Sequence, residues 1–170
     1  MSQEPDNAPD WIKKHNREME DQNRQADEEG RRQLQASKVV EENGPAFSKQ
    51  LVDRIGINVK ALKELAGEEL TGTISLANHG RELNCYFQVN RQSVRYGPEL
   101  SRMSLFYKPG GNRIRRWYQD QDAGDLQLVS NGNEVRASVG GTPATAQQLA
   151  DHIVEWMAER VKARTTITYI

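Results

Sequence analysis

The chain has 170 residues, with 23 basic and 24 acidic side chains and a formal net charge of −1. That length suits one domain plus an extension, and the balance leaves no domain-wide basic excess of the kind that marks dedicated nucleic-acid binders. Cys85 is the single cysteine, which excludes an internal disulfide and favours a reducing compartment.

The first residues carry neither a basic start nor an apolar run, so no signal peptide is expected. No stretch approaches the roughly 18–20 apolar residues of a bilayer span. A cytoplasmic protein without a membrane partner is the expectation.

Residues 1–9 are polar, include Pro5 and Pro9, and read as disordered. Asp10 is a candidate cap for a helix starting at Trp11. From Lys13 to Gln33 the only apolar side chains are Met19 and Ala26. Ile12, Met19, Ala26, Gln33 and Val40 fall at seven-residue spacing, a seam too thin to define a coiled coil. The expected organisation is a polar arm over residues 1–33, either a solvated helix or disordered, followed by one α+β domain over residues 34–170.

Asn43-Gly44-Pro45 reads as a break with Pro45 opening a new helix. Phe47, Leu51, Ile55, Val59, Leu62 and Leu65 then recur every three or four residues, the apolar face of an amphipathic helix. From Leu70 to Val139 the period becomes two. Leu83, Cys85, Phe87 and Val89 alternate with polar residues, as do Met103, Leu105 and Tyr107, and Val135, Ala137 and Val139. Asn78-His79-Gly80, Gly110-Gly111 and Asn131-Gly132 supply turn chemistry between them. An antiparallel meander of about six strands is expected. Thr142-Pro143 reads as the start of a last helix with Thr142 as cap. Its stripe of Ala146, Leu149, Ala150, Ile153, Met157 and Val161 would pack on one sheet face. The β-branched residues 165–170 suggest a further edge strand.

Charge is segregated along the chain. Arg91 to Tyr118 holds seven cations and one acid, with five aromatic residues interleaved, between acidic flanks. Centring a hairpin on Gly110-Gly111 sorts this block onto two faces. Met103, Leu105, Tyr107, Ile114, Arg116 and Tyr118 share a core-like face. Arg102, Phe106, Lys108, Arg113, Arg115 and Trp117 share the other and are the candidate binding residues. Cations and aromatics on one sheet face suit an anionic ligand or a single-stranded nucleic acid. The competing expectation packs Phe106 and Trp117 under a helix, with the arm acids or Asp120, Asp122 and Asp125 as counter-charges.

Other constellations are weaker. Cys85 with His79 as base resembles a nucleophile pair, but Cys85 sits at an inward strand position, where thiols are inert. His15, His79 and His152 share no metal-ligand spacing. The run Asp120-Gln121-Asp122-Ala123-Gly124-Asp125 lacks the glycine and terminal glutamate of a calcium loop. Gly140-Gly141-Thr142 reads as a loop and cap before an anion site. No catalytic residue, metal or cofactor is therefore expected. A non-enzymatic binding module acting through a protein partner or self-association is favoured. Single-stranded nucleic-acid binding is the first alternative, and a small-ligand carrier or enzyme with a sheet–helix cavity the second.

Overall fold

The computed structural model describes residues 9–65, 70–79, 82–93 and 97–163. The elements are helix α1 (Asp10–Leu65), strands β1 (Leu70–His79), β2 (Glu82–Ser93), β3 (Gly97–Tyr107), β4 (Arg113–Tyr118), β5 (Gln121–Asn131), β6 (Glu134–Val139) and β7 (Thr142–Ala144), and helix α2 (Ala146–Ala163). The fold is α+β. Residues 1–8 and 165–170 lie outside the described residues, and with them most of the segment expected to be disordered and the suggested last strand. The chain divides into two compact units, Met1–Ala36 and Ser37–Ile170.

In the first unit α1 is exposed on nearly every side, Trp11 and Leu34 included. The Pro9 carbonyl accepts the Ile12 and Lys13 amides at 2.9 and 3.3 Å, so Pro9 rather than Asp10 takes the cap position. Asp10 instead lies in the first turn, where a carboxylate is favourable to the helix dipole. Lys14–Glu18 and Arg24–Asp21 pair along the surface at 3.9 and 2.8 Å. Such exposed pairs contribute a few tenths of a kcal/mol each.

In the second unit α1 continues through Asn43, Gly44 and Pro45 without a break, which corrects the expectation of a helix start at Pro45. The reason is tertiary. Val40, Gly44, Phe47, Ser48, Leu51, Val52, Ile55 and Val59 form one buried stripe that spans the local stop signal. One long helix thus replaces the expected pair.

The seven strands form one antiparallel sheet in sequence order, one strand more than expected. Cys85, Phe87 and Val89 of β2, Met103, Leu105 and Tyr107 of β3, Ile114 of β4, Leu126 and Leu128 of β5, and Val135 and Ala137 of β6 are all buried on one face. The stripes of α1 and α2 complete that core. Asn58 of α1 donates to Asp151 of α2 at 2.7 Å, tying the helices together. Arg160 of α2 lies over the Trp156 ring at 4.3 Å, and Trp156 meets Tyr118 edge-on at 4.8 Å. Residues 37–65 of α1 and helix α2 therefore occupy the same side of the sheet. Among the described residues no helix is long and apolar enough to cross a membrane.

The last helix starts later than expected. Gly140-Gly141 is a two-residue hairpin loop joining β6 to β7, and Thr142 pairs with Val139 instead of capping. Thr145 is the cap. Its Oγ1 accepts the Gln148 amide at 3.2 Å, and its own amide donates to Gln148 Oε1 at 3.0 Å, a reciprocal capping box.

Cys85 is fully buried, and that burial pushes its thiol pKa from 9.0 to about 12. A thiol this protonated and inaccessible is no nucleophile. Its linkage to stability has a definite sign. The folded pKa lies above the unfolded one, so its contribution is complete below pH 9 and is lost as pH rises toward about 12. Unfolding free energy is expected to fall between those pH values, by up to about 1.4 kcal/mol per pH unit from this group. Urea titrations of wild type and Cys85→Ala check this: the variant should show a visibly shallower slope, and equal slopes would refute it.

Candidate binding face of the sheet

The face opposite the helices is built from the out-of-phase residues of the same strands. The β3–β4 register pairs Ser104 with Trp117, Phe106 with Arg115, and Tyr107 with Ile114. These are the pairs that a hairpin centred on Gly110-Gly111 predicts. The turn itself is tighter: the Gly111 amide donates to the Lys108 carbonyl at 2.9 Å, around Pro109 and a Gly110 with φ of 79°. Proline followed by a positive-φ glycine is type II turn chemistry.

Continuing the register across the sheet gives two rows on this face. One runs Ser75, Tyr86, Ser104, Trp117, Asp122. The next runs Asn84, Phe106, Arg115, Asp125. Tyr86 and Trp117 are thus two strand spacings apart, about 10 Å. Phe106 is diagonal to both, at about 7–8 Å. Tyr86 is 50% and Trp117 43% exposed, and Phe106 is half-buried. Neither α2 nor residues 37–65 of α1 cover them, because both pack on the other face, so the expectation of Phe106 and Trp117 packed under a helix is not met by these segments.

The candidate cations divide by partner. Arg102 pairs with Asp120 at 2.7 Å and Arg113 with Asp125 at 3.0 Å. The acids of the β4–β5 hairpin therefore supply counter-charge, as the acidic flank suggested. Lys108 and Arg115 have no ion pair among the described residues and are exposed. Arg116 lies on the helix side. Burial lowers its pKa, opposed by the charge of Asp125.

A bulge places Arg116. Arg115 opposes Asp125 but Trp117 opposes Asp122, so β5 carries one extra residue here. Gly124 takes φ of 81°, and its amide donates to Asp122 Oδ1 at 2.8 Å. The Arg116 guanidinium donates to the Ala123 and Gly124 carbonyls at 3.0 and 3.2 Å. These carbonyls are the groups a bulge leaves without ladder partners.

The β4–β5 turn is strained. Gln119 and Asp120 both have positive φ, 51° and 62°. Side chains hold it: Gln119 Nε2 donates to the Leu100 carbonyl at 2.6 Å, and Asp120 accepts from Arg102. Each residue in that conformation costs on the order of 1–2 kcal/mol. Of the two, Asp120 lines a groove of about 420 Å³ whose walls also include Thr73, Ser75, Tyr86, Gln88 and Ser104.

Tyr86 is the site residue that the sequence reading left out. Its signal was present, since it alternates out of phase with Cys85 and Phe87. Placing it beside Trp117 required the β2–β3 register, and that connection carries no strong turn dipeptide.

Elsewhere, a cleft of about 380 Å³ lies between α1, the β5–β6 turn and the start of α2, lined in part by Asn43, Phe47, Gln50 and Thr145. Its charged lining residues, Glu134 and Arg136, face one another at 3.6 Å. Among the described residues no group of three or more His, Cys, Asp or Glu side chains is placed to hold a metal. Comparison with protein-family models, with curated proteins and with solved structures finds no match to this chain.

Proposed function

We propose that the chain is a non-enzymatic binding module whose docking surface is the open sheet face around Tyr86, Phe106 and Trp117. The carrying observation is the exposure of Trp117 and Tyr86 on the face opposite α2 and residues 37–65 of α1. Large aromatics presented on a rigid sheet are the usual anchors of recognition surfaces. The buried, protonated Cys85 supports the non-enzymatic part of this reading. A protein partner, a second copy and a nucleic acid are all compatible with such a face.

Site-specific photo-crosslinking in cells tests it. A benzophenone amino acid at position 104, between Tyr86 and Trp117, is expected to give discrete macromolecular adducts. The same probe at Gln147, exposed on α2, should give few. Equal yields at the two positions would overturn the assignment of this face.

A further inference from the structure

We infer that the open face takes a single-stranded nucleic acid, an assignment that rests on its being the docking surface. The first argument is spacing. The register sets the strand positions of Tyr86, Phe106 and Trp117 about 7–8 Å apart from one to the next. That is roughly twice the 3.4 Å per base of a duplex strand. Bases inside a duplex have no free face to stack on such rings, whereas the splayed bases of a single strand do.

The second argument is composition. The side chains between the rings are Asn84, Gln88, Ser104 and Arg115, and Gln127 lies further along β5. Amides and hydroxyls donate to and accept from base edges. A face made to receive an apolar protein helix would carry large aliphatic side chains here, and among the described residues of these two rows there are none. The third argument is charge. Arg115 lies directly across from Phe106, and Lys108 is two residues further along β3's end. Among the described residues of this face these are the cations that lack an ion pair, so they can meet phosphates beside the stacked bases.

The remaining cations limit the electrostatic component. Arg102 and Arg113 already hold Asp120 and Asp125. The two unpaired cations among the described residues of this face imply a salt slope of about −1.4 on single strands, or about a 25-fold loss of affinity for a tenfold rise in salt. Stacking, not charge, is the principal source of affinity.

Fluorescence anisotropy of labelled 12-mers with the full-length chain tests the assignment. Single-stranded DNA and RNA arms separate the two sources of the same chemistry, and a duplex of equal length and base-free polyphosphate serve as comparisons. Either single strand is expected to bind with the stated salt slope. Trp117→Ala and Tyr86→Ala should each weaken binding about 5- to 150-fold, the range for loss of one stacked base. Arg115→Ala and Lys108→Ala should each reduce the slope by about 0.7. His152→Ala on α2 should change nothing. Circular dichroism on each variant establishes that it is folded.

No binding of either single strand at about 20 mM salt would overturn the inference. So would equal binding of duplex or polyphosphate, or full affinity in both folded aromatic variants. The crosslinking at position 104 separates this failure from failure of the docking face. Protease-sensitive, nuclease-resistant adducts there would reject nucleic acid and keep the face. Adducts shortened by nuclease would support both.

Discussion

Replacing Gly44 by alanine is expected to destabilise the fold by about 1 kcal/mol, and the same change in a Tyr107→Phe background is expected to stabilise it. A Cβ at Gly44 would lie 2.5 Å from the Tyr107 hydroxyl oxygen, and the ring carbon behind it would be 3.4 Å away. Tyr107 is 2% exposed, so its ring has little room to yield. Overpacking of this kind costs about 1–3 kcal/mol. Against it stands a gain of about 1 kcal/mol for alanine over glycine inside a helix.

The hydroxyl has its own cost. It completes no hydrogen bond among the described residues. Burial raises its pKa, and the nearby Gly110 backbone opposes that shift without reaching hydrogen-bond geometry. Leaving such a group unpaired costs roughly 1–3 kcal/mol, so Tyr107→Phe alone should be neutral or mildly stabilising. Urea unfolding of the four proteins in the cycle measures the coupling, expected near 2 kcal/mol. A coupling below about 0.5 kcal/mol would mean that Gly44 does not pack on Tyr107, and α1 would lose its contact with β3.

This contact also explains what was legible in the sequence. Tyr107 was placed on the core face because its alternation with Phe106 and Lys108 is independent of tertiary context. The same periodicity set the β3–β4 register and gathered Phe106, Arg115 and Trp117 on one face. What alternation does not encode is which face the helices cover. Both faces carry large aromatics, and the docking side depends on the summed stripes of α1 and α2. The Asp120 and Asp125 ion pairs follow from β4–β5 proximity, and their possibility was readable from the acidic flank. Their geometry depends on the bulge at Gly124, which leaves no periodic signal. Thr142 misled because Thr-Pro is start chemistry, while the Thr145-x-x-Gln148 box three residues on was the signature that held. Asn43-Gly44-Pro45 misled for a related reason. Local stop chemistry was outweighed by a buried stripe running from Val40 to Leu51.

That override has a measurable consequence at Pro45, where alanine is expected to stabilise the chain by about 2 kcal/mol. Pro45 lies inside α1. Its nitrogen cannot donate to the carbonyl one turn earlier, at Glu41, and proline in a helix interior costs about 3 kcal/mol relative to alanine. Proline also restricts the unfolded chain, which returns about 0.4–1 kcal/mol and leaves the net gain stated. Pro45 is exposed, so its removal opens no cavity. Thermal and urea unfolding of Pro45→Ala, with circular dichroism for helix content, measure the gain. A change near zero would instead mean that a helix starts at Pro45, where the missing N–H costs nothing. Then Val40 and Phe47 would not belong to one stripe. Because residues 37–65 of α1 pack on the face opposite Trp117, oligonucleotide affinity should be unchanged in this variant, and a parallel loss of binding would mean that the open face depends on strain at Pro45.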